Sequence, residues 1–188
     1  MRRSTLFISF IIAIYSPFAL AQNLHERELI ELLGEAANQM DSFPDQFEAQ
    51  VWLTDMAARL EAQVKDPRER IEILQRVHYE ALRADLPPEL ILAVIDIESN
   101  FDRFAISVAG AQGLMQIMPF WLNEIGRPND NLMRIATNLR FGCTILKYYI
   151  DLENGDLKRA LARYNGSLGK NTYPDKVLAK LRLKWFKA

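Results

Sequence analysis

One cysteine, Cys143, and two histidines, His25 and His78, are all that this chain of 188 residues carries of those types. A lone cysteine excludes an intramolecular disulfide, and none stands near the N-terminal segment to take a lipid. No Cys/His cluster has metal-ligand spacing, so no metal and no cofactor are expected. His78 falls on an apolar stripe with Ile71, Leu74 and Leu82, where a half-buried structural histidine is the expected reading. Neither sign of charge dominates: 23 basic side chains face 24 acidic ones, which leaves no footprint for nucleic acid. No segment repeats, no Ser/Gly/Pro-rich linker divides the chain, and no alternating strand of convincing length appears. These absences exclude repeat arrays, β architectures and tethered domains. What remains, 49% hydrophobic with 8 Gly and 8 Pro, suits one ordinary globular domain with a proper core.

The first residues, "MRRSTLFISFIIAIYSPFALAQNL", place Arg2 and Arg3 before an apolar stretch over residues 6–14 and then Ala19-Leu20-Ala21. That is the charged, apolar and small-x-small order of a secretory leader. An uncleaved anchor is the alternative. However, Ser9, Ser16 and Pro17 interrupt the stretch, which falls short of the roughly 20 apolar residues a spanning helix needs. Residues 1–21 are therefore expected to be a signal peptide cleaved after Ala21. Removing Arg2 and Arg3 from the 23 basic side chains leaves 21 against 24 acidic ones.

The rest reads as helix after helix. Leu29, Leu32, Leu33, Ala36 and Met40 form one stripe; "SFPD" offers Ser42 as an N-cap with Asp45 in the first turn of a second helix. "DPRE" repeats the device, with Asp66 as cap and Pro67 at the first helical position. "LPPELILAVIDIES" starts a helix at Pro88 whose almost all-round apolar character marks the buried central element. "AISVAGAQGLMQIMP", with two glycines and a closing proline, reads as a loop with a short helical segment. Pro119 then opens "PFWLNEIG", a longer helix follows through Ile135, Leu139, Gly142, Leu146 and Tyr149, and Asp156 caps the next. The final "PDKVLAKLRLKWFK" is amphipathic, with Lys176, Lys180, Arg182, Lys184 and Lys187 opposite its apolar side. A solvated face is expected there, and contact with an anionic polymer or membrane is the alternative.

Glu98 is the anomaly. It ends the most apolar helix, on the face of Ile91, Val94 and Ile95, where packed hydrocarbon and the negative end of the helix dipole both disfavour a charged carboxylate. Its pKa should rise above the usual value of about 4.3, giving a carboxyl able to donate a proton near neutrality. Position alone leaves open a glutamate that simply reaches back to solvent.

The surrounding residues decide. "ESNFDRFAISVAGAQGLMQIMP", with Glu98-Ser99, Ser107, Gly110-Ala111, Gly113-Leu114-Met115-Gln116 and Met118-Pro119, followed downstream by Tyr164-Asn165, resembles the Slt-type lytic transglycosylases. This is the goose-lysozyme-like family that cleaves peptidoglycan glycan strands. The resemblance covers roughly residues 88 to 180. It implies an all-α, lysozyme-like catalytic domain at residues 88–188, with residues 22–87 as an N-terminal helical segment packed on it. It also implies Glu98 as the acid/base, Ser107, Gln116 and Met118 lining the sugar cleft, and Tyr164 and Asn165 completing the site. Met115 and Met118 also admit a core-filling reading, Gln116 a turn cap, and Tyr164 a packing role. The segment "GSLGKNTYPDKV" departs from the family pattern: it is short, lacks a glutamate and has Pro174 where the family has Val, although Tyr173 is retained.

Most glycosidases flank the scissile bond with two carboxylates. Here Asp96 should project from the opposite side of its helix, and Asp102 should serve as a cap or ion-pair partner. With one acid, the resemblance implies substrate assistance and a 1,6-anhydro product. A muramidase that uses water with the same Glu98, and an inactive peptidoglycan-binding module, are the alternatives. The expected partner is peptidoglycan, with an envelope-spanning assembly as a possible client. The expected setting is a periplasmic monomer without nucleic acid.

Overall fold

A computed structural model describes residues 29–186, except 42 and 44. The leader, His25, the Ser42 cap and Lys187 lie outside the described residues. The regular elements of the described chain are all helices: α1 over residues 29–38, α2 Gln46–Leu60, α3 Pro67–Arg83, α4 Pro88–Glu98, α5 Trp121–Ile125, α6 Ile135–Leu152, α7 Leu157–Tyr164 and α8 Thr172–Lys180. A π-helical turn, Leu181–Trp185, prolongs α8. No strand occurs among the described residues, and only two isolated antiparallel bridges, Ile106 with Gln112 and Gln112 with Ile117, brace the loop after α4. No helix among them is long and apolar enough to cross a membrane.

The caps follow local chemistry. Asp45, rather than residue 42, caps α2, because its short carboxylate accepts the Glu48 N–H at 2.8 Å. Asp66 and Asp156 do the same for Arg68 and Arg159, at 2.9 and 3.0 Å, and Pro67 fills the first helical position of α3. Pro174 is tolerated within the first turn of α8, where a missing N–H costs no helical bond.

Helix α4 is the axis of the molecule: Leu90 to Ile95 are all at most 3% exposed. Helices α3, α8 and the π-helical turn pack around it, while α6 packs on α3 and α7. The helix stops at Glu98 because Ser99 leaves helical geometry and Asn100 and Phe101 take positive φ, 50° and 68°. His78 is buried, stacked on Phe43 at 3.8 Å and edge-on to Trp52 at 5.0 Å; burial lowers its pKa to about 4. Cys143 is buried, and desolvation pushes its thiol up.

The expected solvated face of the last helix holds for Lys176 and Arg182, which are exposed, and needs correction for Lys180 and Lys184. Lys180 and Lys184 turn inward onto the buried Asp96, with Nζ to Oδ1 and Oδ2 distances of 2.8 and 3.0 Å. A buried carboxylate needs counter-charge, and these two ammoniums supply it.

Candidate active site

The loop of residues 99–120 is built against the end of α4 by side chains that donate to its backbone. Ser99 Oγ donates to the Leu114 carbonyl at 2.8 Å, tying the loop to the residue beside Glu98. From α6, Asn138 Nδ2 donates to the carbonyls of Gln112 and Leu132, both at 2.8 Å, while its Oδ1 accepts the Met115 N–H at 2.8 Å. Sequence reasoning did not single out Asn138. Its signal was a polar residue among the apolar positions Ile135, Leu139 and Gly142 of α6.

Two glycines make this fit possible. Gly113 has φ +74°, and a Cβ there would lie 2.6 Å from the Leu132 carbonyl oxygen. At Gly142 a Cβ would overlap Met115 Sδ, so the methionine is seated in the notch that this glycine leaves in α6. Met115 is therefore core, as one of its two readings had it, being 0% exposed.

Glu98 sits at the far end of α4, largely out of solvent. Tyr173, from the first turn of α8, donates its hydroxyl to Glu98 Oε1 at 2.5 Å. Burial raises the Glu98 pKa and the Tyr173 hydrogen bond lowers it; burial wins and the carboxyl stands at about 7. Among the described residues no group donates to Oε2. Tyr173 and the nearby Tyr164 are themselves held well above the usual phenol range, first by desolvation and then by the Glu98 charge. Tyr173 was noted in the sequence only as a retained family position; its contact spans 75 residues, a separation no local pattern reports.

Other carboxylates near in sequence are engaged elsewhere. Asp96 faces the far side of α4 and meets Lys180, Lys184 and the Trp185 indole N–H. Asp102 accepts the Phe104 N–H at 2.9 Å in a local turn. Among the described residues no group of three or more His, Cys, Asp or Glu could hold a metal ion.

Of the residues expected to line a cleft, Gln116, Met118, Tyr164 and Asn165 share one cavity of about 250 Å³, together with Phe120, Trp121 and Tyr149. The Tyr164 hydroxyl donates to the Met115 carbonyl at 2.8 Å, and Gln116 Nε2 donates to the carbonyls of Ala105 and Gly113. Both side chains therefore hold the loop as well as face the cavity. Neither Glu98 nor Ser107 lines this cavity. Ser107 is exposed and pairs with Ala111 across the loop, its Oγ accepting the Ala111 N–H at 3.0 Å. A larger hollow of about 410 Å³ lies at α2, lined by Phe43, Phe47 and Trp52.

A helical protein that ends its most buried helix in one carboxyl poised near neutrality, beside a glycine-turned loop, has the makings of a general-acid site. Residues 76–178, over half the chain, match the Transglycosylase SLT domain family, and the chain belongs to it. The fold is thus the helical, lysozyme-like domain of that family, with further helices on its N-terminal side. A transglycosylase of Enterobacteria phage PRD1 is similar to this chain, 30% identical over 106 residues. The match spans 53% of this chain and 39% of the phage protein's own length.

Proposed function

We propose that the protein is a peptidoglycan lytic transglycosylase in which Glu98 is the sole acid/base. Glu98 protonates the glycosidic oxygen between N-acetylmuramic acid and N-acetylglucosamine as the C1–O bond breaks. The muramyl 2-acetamido group stabilises the cation that develops. Glu98, now a carboxylate, takes the proton of the muramyl 6-hydroxyl, whose oxygen bonds to the anomeric carbon. A 1,6-anhydro end forms, no water is consumed, and Glu98 regains its proton. Family membership supports the reaction class, and the observation that carries the reading is the Glu98 carboxyl at the end of the buried α4, held by the Tyr173 hydroxyl, where burial raises its pKa toward neutrality and keeps the donor loaded.

In this reading Gln116, Met118, Tyr164 and Asn165 line the sugar cleft, Ser107 extends it along the loop, and residues 88–188 are the catalytic domain. Residues 22–87 brace that domain. The leader directs export with cleavage after Ala21, so that a monomer meets glycan strands in the periplasm.

The test is mass spectrometry of sugars released from purified sacculi, with Glu98→Gln in parallel. Anhydro-muramyl ends that disappear in the variant are expected. Reducing ends carrying an added water would make the protein a muramidase, and no release by either protein would leave a binding module.

A further inference from the structure

Helix α8 grips α4 from two sides. Tyr173 and Lys180 are seven residues apart, on one face of α8 and about 10 Å apart along it. Their partners, Glu98 and Asp96, lie on opposite sides of α4, because two helical steps turn through about 200°. A helix that reaches both flanks of another must cross it, so the Asp96 contact fixes where the Tyr173 end of α8 comes to rest.

The Asp96 side is itself braced by segments beyond the family match. Lys184 Nζ reaches Gln63 Oε1 at 2.6 Å as well as Asp96, and its carbonyl accepts from Arg59 on α2. Gln63 Nε2 in turn donates to Asn100 Oδ1 at 3.1 Å, just past the end of α4. Trp185 donates its indole N–H to Asp96 and packs on Phe101 at 5.4 Å. Arg59 and Gln63 precede residue 76, and Lys180, Lys184 and Trp185 follow residue 178.

We infer that Asp96 is a positioning residue: through Lys180 and Lys184 it sets α8 against the end of α4 and so keeps the Tyr173 hydroxyl on Glu98. This rests on Glu98 being the acid of the proposed reaction. The chain on either side of the family segment thereby gains a definite task, which is to hold the back of α4 so that the front is in register.

The sign of one shift tests this. The titratable groups facing Glu98 are Tyr173 from α8 and Tyr164 from α7, and both stay protonated far above neutrality, so a change near pH 7 belongs to Glu98. Neutralising Asp96 removes a negative neighbour and frees two ammoniums, which by charge alone lowers the Glu98 pKa. Losing the Tyr173 hydrogen bond raises it. The experiment is carboxyl NMR titration of the full chain labelled with carboxyl-carbon-13 glutamate, the Glu98 signal being assigned by its loss in Glu98→Gln.

Tyr173→Phe should move the Glu98 midpoint up by roughly one unit, the size of a hydrogen bond to a charged group. Asp96→Asn, whose amide can accept from one ammonium but points its own N–H at the other, should also move it up. The double variant should go no higher than Tyr173→Phe. A midpoint that falls or stays put in Asp96→Asn, or shifts that add in the double variant, would overturn the assignment. Should Asp96→Asn not fold, Lys184→Met carries the test with and without Tyr173→Phe: an upward shift that is lost in the Tyr173→Phe background is expected, and one that persists there is the effect of charge alone and would overturn the assignment. None of these readouts needs turnover, so a chain inert on sacculi would sink the proposed reaction and leave this inference to be judged by the titration.

Discussion

Two carboxylates on α4, two residues apart, have opposite fates. The Asp96 side chain is 1% exposed and keeps its charge: burial pushes its pKa up, but the hydrogen bonds and charges of Lys180 and Lys184 more than reverse this. Glu98 is the more exposed of the two, yet its carboxyl rises to about 7. Surface exposure alone therefore does not decide which acid is protonated. The partners do: two ammoniums and an indole N–H on one side of the helix, a single neutral hydroxyl on the other. One helix end carries a structural anion behind and a carboxyl raised toward neutrality in front, and counter-charge is what separates the two.

The comparison breaks most visibly in activity. Glu98→Gln keeps the shape and removes the proton, and cleavage of sacculi should fall by at least about a hundredfold, the lower end of general acid catalysis. Next is stability. Asp96→Ala leaves two ammoniums and an indole N–H without their shared acceptor, and loss of one partner of a buried pair costs about 3–5 kcal/mol. Lys180 is 42% exposed and can turn to water, so a loss nearer about 2–3 kcal/mol is expected by urea denaturation. A loss below about 0.5 kcal/mol would make the pair no different from a surface ion pair.

The front of α4 was more legible in the sequence than its back. Apolar periodicity placed α4 from Pro88 and put Glu98 on the face of Ile91, Val94 and Ile95, because helical angle follows from spacing along the chain. Asp66 and Asp156 were legible as caps, because capping is a matter of neighbours along the chain. Asp96 could be placed on the opposite side by helical angle alone, but Lys180 and Lys184 stand 84 and 88 residues away. Helical spacing told only that the lysines share a face, not that another helix brings a buried acid to it. Tyr173 and Asn138 escaped for the same reason: each serves a residue on another element.

The stability cost of Glu98 itself sharpens the contrast. An unfolded chain releases this proton near pH 4.5, the native chain near 7, so between those values the native state holds the extra proton and stability falls as pH rises. Glu98→Gln removes that loss, and a gain on the order of 1–3 kcal/mol is expected at pH 8, vanishing below about pH 4.5. His78 works in the other direction: its pKa, lowered from 6.5 to about 4, makes stability rise with pH across that interval. The two slopes oppose one another in the natural protein. Between about pH 4.5 and 6.5 the denaturation curve should be shallow for it and climb for Glu98→Gln, which levels off above that interval; parallel curves would mean that Glu98 titrates normally.

The smallest effect divides the back of α4 between its two lysines. Among the described residues Lys180 Nζ makes one polar contact, to Asp96 Oδ1, on a side chain that is 42% exposed. Lys184 Nζ meets Asp96 and Gln63 and lies 4.4 Å from the Trp185 ring centre, on a side chain that is 26% exposed. Replacing either by Met keeps the hydrocarbon stem and removes the charge. Lys180→Met should therefore cost about 0.5–1 kcal/mol, as for a half-exposed ion pair, and Lys184→Met more, because it breaks a cation–π contact and a second hydrogen bond as well. Equal losses would show that Asp96 alone sets the energy of the cluster, and the reverse order would place the brace at the end of α8 and not in the π-helical turn.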